Sequence, residues 1–391
     1  MKNLKLILLI IVFSQFCCTS LWFAGNGVMS DLISSFNLNN AALGHLTSVV
    51  QFGFIIGTLS FAILTIADRF SPSKVFFISA LFGAIFNLGV TLDNNNLISI
   101  LIFRFLTGFF LAGIYPVGMK IAADYFDKNL GKSLGFLVGA LVVGTSLPHL
   151  LKDITGALPW KAVIVAVSTL AILGGVLMVT LVPDGPFRKG SFTFNFSAFF
   201  RVFNNSEFRA SAFGYFGHMW ELYAFWAFIP VILAKYQSLN VDANFNIPLL
   251  SFLIIAIGGI ACVLSGHISH KHGVKKTASV ALFLSCICCL VSPLLFKTSS
   301  EVIFIGFLFF WGMVVIADSP LFSTLVAHNA PASIKGTALT IVNCIGFFIT
   351  IISIQLLSGL QDLIPSNYLF MVLAIGPILG LNALINNNSD S

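Results

Sequence analysis

Apolar runs of membrane-spanning length recur twelve times along this chain, and no other feature constrains its fold as much. They cover about 5–34, 41–66, 75–92, 97–122, 132–151, 161–182, 208–234, 247–268, 277–296, 302–326, 336–358 and 367–386. A helix needs about 20 apolar residues to cross a ~30 Å hydrocarbon core at 1.5 Å per residue. Inside that core each segment must satisfy its own backbone polar groups, so runs of this length become helices rather than open strands. Composition agrees. Hydrophobic residues make up 58% of the 391 and charged residues 9%, against about 25% charged in soluble domains. Mean hydropathy is +0.99. The expected fold is all-α and integral to the membrane. The first run begins like a secretory signal, but it continues through Leu21-Trp22-Phe23-Ala24 without a small-x-small cleavage site. It is therefore expected to stay as the first helix.

Most connections are very short. The longest, Pro183 to Glu207, divides the runs six and six. The expected domains are an N-terminal six-helix bundle at 1–182, a central cytoplasmic loop at 183–207 and a C-terminal six-helix bundle at 208–391. Lys and Arg set the orientation, because cytoplasmic loops carry the excess. With the N-terminus inside, fourteen fall in inside segments, among them Lys2, Arg69, Lys128, Lys132, Lys189 and Arg201. Four fall outside: Lys152, Lys161, Lys235 and Lys297. Both termini are thus expected in the cytoplasm. The net charge of +6 reads as topology rather than as nucleic-acid binding. The seven cysteines all fall in apolar runs, without zinc-ligand spacing or a loop pair for a disulfide, and read as small buried apolar residues.

The two halves echo one another. Trp22 matches Trp220, Asp68-Arg69 matches His270-Lys271, and Gly108 and Pro116 match Gly312 and Pro320. Offsets that drift slowly suggest an internal duplication. Repeats of this kind place a transporter's substrate site near the midplane, between the repeats. The stretch Ala67-Asp68-Arg69-Phe70-Ser71-Pro72-Ser73-Lys74 resembles the signature G-x-x-x-D-R-x-G-R-R between the second and third spans of the major facilitator superfamily. Asp68 and Arg69 match it, Lys74 falls one place beyond the basic pair, and Leu64 and Ser71 stand at the glycine positions. A second copy, Gly266 to Lys276, keeps both glycines and has His270 in place of the acid. Arg104-Phe-Leu-Thr-Gly108 is similar to the family's fourth-span motif R-x-x-x-G. The resemblance covers essentially the whole chain. It implies twelve transmembrane helices in two six-helix pseudo-repeat bundles and alternating access by a functional monomer. It also implies cytoplasmic gates at Asp68, Arg69, Lys74, His270 and Lys271.

The candidate site centres on Gly214-Tyr-Phe-Gly-His-Met-Trp-Glu-Leu-Tyr-Ala-Phe-Trp226. Glu221 falls near the middle of its span, where a carboxylate costs roughly 2.5–3.5 kcal/mol on insertion scales. Such groups usually face a protein interior or a wet cavity and serve function; the bland alternative is a polar clamp between helices. His218, three residues earlier, is expected to share its face. Arg104 lies inside the fourth span, either as an anion clamp or carboxylate partner or snorkelling to the outer interface. Asp318 precedes Ser319-Pro320, where proline frees a backbone carbonyl; it is either a second titrating group or a cap on that loosened backbone. Glu221, His218, Asp318 and Arg104 are the proton-coupling candidates. Arg104, Asn26, Trp22, Tyr115, Trp220, Glu221 and Tyr223 are the substrate-binding candidates. Gln51, Asn87 and Asn343 are expected to hydrogen-bond between helices, and His149 to sit at the outer end of the fifth span as a gate or an interface residue. Gly135, Gly139 and Gly144 are spaced for close helix contact.

These residues favour a secondary active transporter of a small organic solute in the cytoplasmic membrane, coupled to protons. Arg104 tilts the solute toward an anion or zwitterion. Uptake is favoured over drug or metabolite export, because Pro148 stands four residues after Gly144 rather than beside a glycine as in the family's antiporter signature. A transporter-shaped receptor is a further alternative. An intramembrane enzyme would need a nucleophile–base set or a metal cluster. His267, His270 and His272 have the spacing for a metal but adjoin three lysines at the gate. No G-x-x-x-x-G-K-[ST] stretch is present, so nucleotide is not the expected energy source, and no cofactor is implied.

Overall fold

The computed structural model describes residues 4–126, 130–156, 158–188, 202–240, 242–331 and 335–386. Among them, every regular element is helical. Eleven helical stretches are long and apolar enough to cross a membrane, and Leu4–Thr19 is a shorter apolar helix. Together they match the twelve expected spans, and the chain is a multi-pass membrane protein. It divides into two compact units, Met1–Phe194 and Asn195–Ser391. Lys2, Lys128, Lys189 and Arg201 of the topology count, with 189–201 of the expected central loop, lie outside the described residues.

In the first unit, the first span is not one helix. It runs as α1 (Leu4–Thr19), α2 (Ala24–Gly27) and α3 (Met29–Ser35). Hydroxyls at the break compete for backbone carbonyls: Thr19 donates to Gln15 O at 2.8 Å and Ser20 to Cys17 O at 2.6 Å. Gly25 and Gly27 follow, and both are poor at propagating a helix. Next come α4 (Ala42–Ile63), α5 (Ile66–Arg69) and α6 (Pro72–Gly89). α7 (Leu97–Leu111) opens on a capping box between Asn96 and Ser99, which satisfies two of the donors a helix start leaves orphaned. It gives way to α8 (Tyr115–Tyr125) just before Pro116, whose ring cannot continue the turn. α9 (Leu130–Thr155) and α10 (Lys161–Leu181) complete the unit.

The second unit opens on α11 (Ser206–Leu239), capped by Asn205 on Phe208 N at 2.9 Å. α12 (Ile247–His272) is capped by Asn246, and α13 (Val274–Leu295) follows across Gly273, whose φ of +87° favours a residue without a side chain. α14 (Glu301–Ala317) stops at Asp318, and α15 (Ser319–Asn329) restarts with Pro320 in its first turn. α16 (Lys335–Leu360), α17 (Ser366–Leu369), a 3-10 turn (Phe370–Ala374) and α18 (Ile375–Asn386) end the described chain.

The duplication survives as one contact made twice. A Cβ on Gly108 of α7 would lie 2.1 Å from Val50 O of α4. A Cβ on Gly312 of α14 would lie 2.2 Å from Ile254 O of α12. Only glycine lets the two backbones approach so closely, as in membrane helix pairs generally. Gly108→Ala and Gly312→Ala are each expected to destabilise by about 1–3 kcal/mol through overpacking. Thermal unfolding in detergent tests this, and an unchanged midpoint for both would refute the contact. On α9, Gly144 packs on α1, since a Cβ there would be 2.4 Å from Phe16 O. A Cβ on Gly135, expected to do the same, would meet nothing within 4 Å among the described residues. All seven cysteines are unpaired and buried.

Candidate functional site

The core of the second unit is built around Glu221. α11 carries it to a position where it is 1% exposed. Its Oε1 accepts from Trp311 Nε1 at 2.6 Å and from Cys289 Sγ at 3.3 Å, and its Oε2 accepts from the Ser285 hydroxyl at 2.8 Å. These donors come from α13 and α14. Among the described residues Glu221 has no cationic partner. His218 does not pair with it. Residues three apart differ by about 60° around a helix, and His218 points instead to Asp318 at the α14–α15 break. His218 Nδ1 lies 2.7 Å from Asp318 Oδ1, and both side chains are 1% exposed. Asp318 therefore turns its carboxylate toward His218 rather than capping the loosened backbone with its side chain, while its carbonyl accepts from Leu321 N and Phe322 N. His218 Nε2 has no hydrogen-bond partner.

The unit thus buries two carboxyl groups and a histidine in two arrangements: a carboxylate held by neutral donors and a histidine–carboxylate pair. Burial penalises the charged form of Glu221, and three donors stabilise it. Trp220 and Tyr223 flank Glu221 in sequence but pack on different elements. Trp220 donates to Val372 O at 3.2 Å in the 3-10 turn, and Tyr223 packs on Phe347 of α16 at 5.3 Å. Tyr215 donates to Asn343 at 2.8 Å.

In the first unit the break in the first span is held by Arg104, which is 1% exposed. It does not snorkel to an interface. Its Nη2 donates to Leu21 O at 3.1 Å and to Trp22 O at 2.6 Å, carbonyls that the interrupted helix leaves without a partner. Its Nη1 donates to Asn87 Oδ1 at 2.9 Å, and Asn87 in turn donates to Ser168 on α10 at 2.9 Å. Only Nε has no partner. The clamp seats Trp22, whose Nε1 donates to Gln51 at 3.2 Å and whose ring packs on Phe54 and, edge-on, on Tyr115. Asn26 donates to Thr47 at 2.9 Å. His149, expected as a gate or an interface residue, is buried at 3% exposure.

At the corner between α5 and α6, Asp68 does not face its sequence neighbour. It pairs with Lys120 of α8 at 2.9 Å, and Lys120 also lies 3.9 Å from Asp124. The segment after α10 is strapped over this corner. Ser71 donates to Asp184 at 2.6 Å, Ser73 to Val182 O at 2.6 Å, and Arg188 to the carbonyls of Asp68 and Phe70 at 2.9 and 2.8 Å. Arg69 and Lys74 are exposed, as are His270 and Lys271 at the matching corner of the second unit. No group of three or more His, Cys, Asp or Glu side chains arranged to hold a metal occurs among the described residues, His267, His270 and His272 included.

Sequence reasoning missed Lys120, Trp311, Ser285 and Cys289. Lys120 had a signal: it sits four residues before Asp124, the spacing of a helical ion pair. Ser285 and Cys289 have that same spacing, which puts them on one face of α13.

A model of the Major Facilitator Superfamily matches residues 11–354. No curated protein matches the chain. Three solved structures share its fold. A mutant of the nucleoside transporter NupG is 15% identical with a TM-score of 0.75, the match covering 98% of this chain and 100% of that one. The proton:xylose symporter XylE is 14% identical at 0.75, covering 98% and 95%. A bacterial homologue of the human lysosomal transporter Spinster, inward-facing and unoccupied, is 15% identical at 0.68, covering 99% and 94%.

Proposed function

Because the chain belongs to the Major Facilitator Superfamily, we propose that it moves a small organic solute across the cytoplasmic membrane by alternating access, driven by protons. Its general role is that of a secondary transporter. The observation that carries the coupling is the burial of Glu221, with no cationic partner among the described residues, in the same unit as the His218–Asp318 pair. A carboxylate at that depth is costly, and the site offers two ways of holding a proton: on Glu221, or between His218 and Asp318. Protonation and solute binding then weight the same conformational equilibrium, each by its differential affinity for the two states. The proton:xylose symporter is one protein of this fold whose own name carries that coupling.

The solute we assign is neutral or zwitterionic, with an apolar face. The lean toward an anion rested on Arg104, and four of its five donor hydrogens belong to Nη1 and Nη2, which bind Asn87 and the carbonyls of Leu21 and Trp22. Trp22, Asn26 and Tyr115 in the first unit, and Trp220, Glu221 and Tyr223 in the second, are its proposed contacts. Asp68, Arg69, Lys74, His270 and Lys271 are the proposed cytoplasmic gates, with Lys120 added as the cation of Asp68. The proposed direction is uptake, with both termini in the cytoplasm. The chain is proposed to work as a monomer.

The test uses the full chain in proteoliposomes loaded with a pH-sensitive dye. Sugars, nucleosides, amino acids and organic acids are added outside, one at a time. A solute that enters saturably and acidifies the lumen supports proton-coupled uptake. A solute that equilibrates without moving protons leaves a transporter and refutes the coupling.

A further inference from the structure

The two units end differently at their matching corners, and the difference is electrostatic. In the first unit, Asp68, Asp124 and Asp184 neutralise Lys120 and Arg188. The second unit has no carboxylate anywhere between Asp242 and Glu301. Into that interval fall His267, His270, Lys271, His272, Lys275 and Lys276. Lys271 and Lys276 are exposed and form no ion pair among the described residues.

Directly below these cations the helices present apolar side chains to their surroundings. On α12, Ile260, Leu264 and Ile268 are 61%, 54% and 48% exposed. They recur every four residues and so form one stripe, which continues into Lys271 and His272. On α13, Lys276 heads a similar stripe of Val280, Phe283 and Ile287, all exposed. The turn at Gly273 joins the two cationic ends. An apolar stripe about 12 Å long that ends in exposed lysines suits the two parts of a phospholipid: an acyl chain along the stripe and an anionic headgroup at its end.

We propose that the α12–α13 corner is a binding site for an anionic phospholipid, its headgroup phosphate on Lys271 and Lys276 and its acyl chain along the stripes beneath. Basic segments attract anionic headgroups at a membrane surface, and the attraction weakens as salt shortens the screening length. The first unit's corner differs in that Asp68, Asp124 and Asp184 lie among its cations and pair with Lys120 and Arg188, although Arg69 and Lys74 are themselves exposed.

The test is native mass spectrometry of the full chain in detergent, with phosphatidylglycerol and phosphatidylcholine of identical acyl chains at equal concentration. The expected result is preferential retention of phosphatidylglycerol, reduced by about five-fold or more in Lys271→Gln/Lys276→Gln. Lys271→Arg/Lys276→Arg keeps the charge and is expected to keep the preference. Arg69→Gln/Lys74→Gln, at the other corner, is expected to leave it within about two-fold. Equal retention of the two lipids by the unaltered protein overturns the proposal, as does an undiminished preference in the glutamine variant. In either case the lysines serve orientation alone. Displacement of the lipid by millimolar inorganic phosphate also overturns it, because the site then recognises a soluble anion and not a lipid.

Discussion

Glu221→Gln is expected to collapse gradient-driven accumulation to simple equilibration. With one proton per solute, a gradient of one pH unit supports about ten-fold accumulation, since one unit is worth about 1.4 kcal/mol. The variant is expected to fall from about ten-fold to about one-fold, measured as solute inside against outside in proteoliposomes. Folding is expected to persist. Glutamine keeps an oxygen for Trp311 and Cys289, and its amide faces Ser285, whose hydroxyl can turn from donor to acceptor. Exchange of solute for solute, which needs no net proton movement, is expected to survive. Accumulation with its usual dependence on pH would remove Glu221 from the coupling role. Loss of exchange at an unchanged melting temperature would make it a solute ligand instead.

The second large effect is expected at Arg104, and it concerns stability before transport. Arg104→Met keeps the apolar stem and removes the donors to Leu21 O, Trp22 O and Asn87 Oδ1. A buried acceptor left without a partner costs about 1–3 kcal/mol, so losing three predicts about 3 kcal/mol or more. The readout is the unfolding midpoint of the purified protein. Arg104→Lys is expected to recover part of the loss, because one ammonium cannot reproduce the fork that spans two helices. If Arg104→Met melts like the unaltered protein and still loses transport, the guanidinium acts on the solute and not on the break.

The sequence made the spans visible because lipid imposes a single rule on every one of them: about 20 apolar residues, all helical. The break at Asp318 was visible for an equally local reason, the proline two residues on. The break after Thr19 was not. No proline marks it, and its cause lies in hydroxyls that bond backwards and in an arginine 82 residues away. The same distinction separates the site residues. That Glu221 is buried in apolar surroundings follows from its span. That His218 belongs to Asp318 does not, because the pair is closed by the packing of α11 against the α14–α15 break, and helical spacing alone pointed to Glu221. Lys120 was hidden by its place inside an apolar run, where the charge count passed over it. The matched glycines show the other side of this: Gly108 and Gly312 were legible as a repeat, and the repeat turned out to be a contact.

The burial of all seven thiols has a practical consequence for following this protein at work. In the conformation described, no native cysteine is exposed to a hydrophilic maleimide. A single cysteine placed at an exposed position such as Arg69 or Lys271 can therefore be labelled selectively from one side of a sealed vesicle, with the native sulfurs left in place. Leaving them matters, because Cys289 is a donor to Glu221, and a cysteine-free background would alter the very carboxylate that the label is meant to report on.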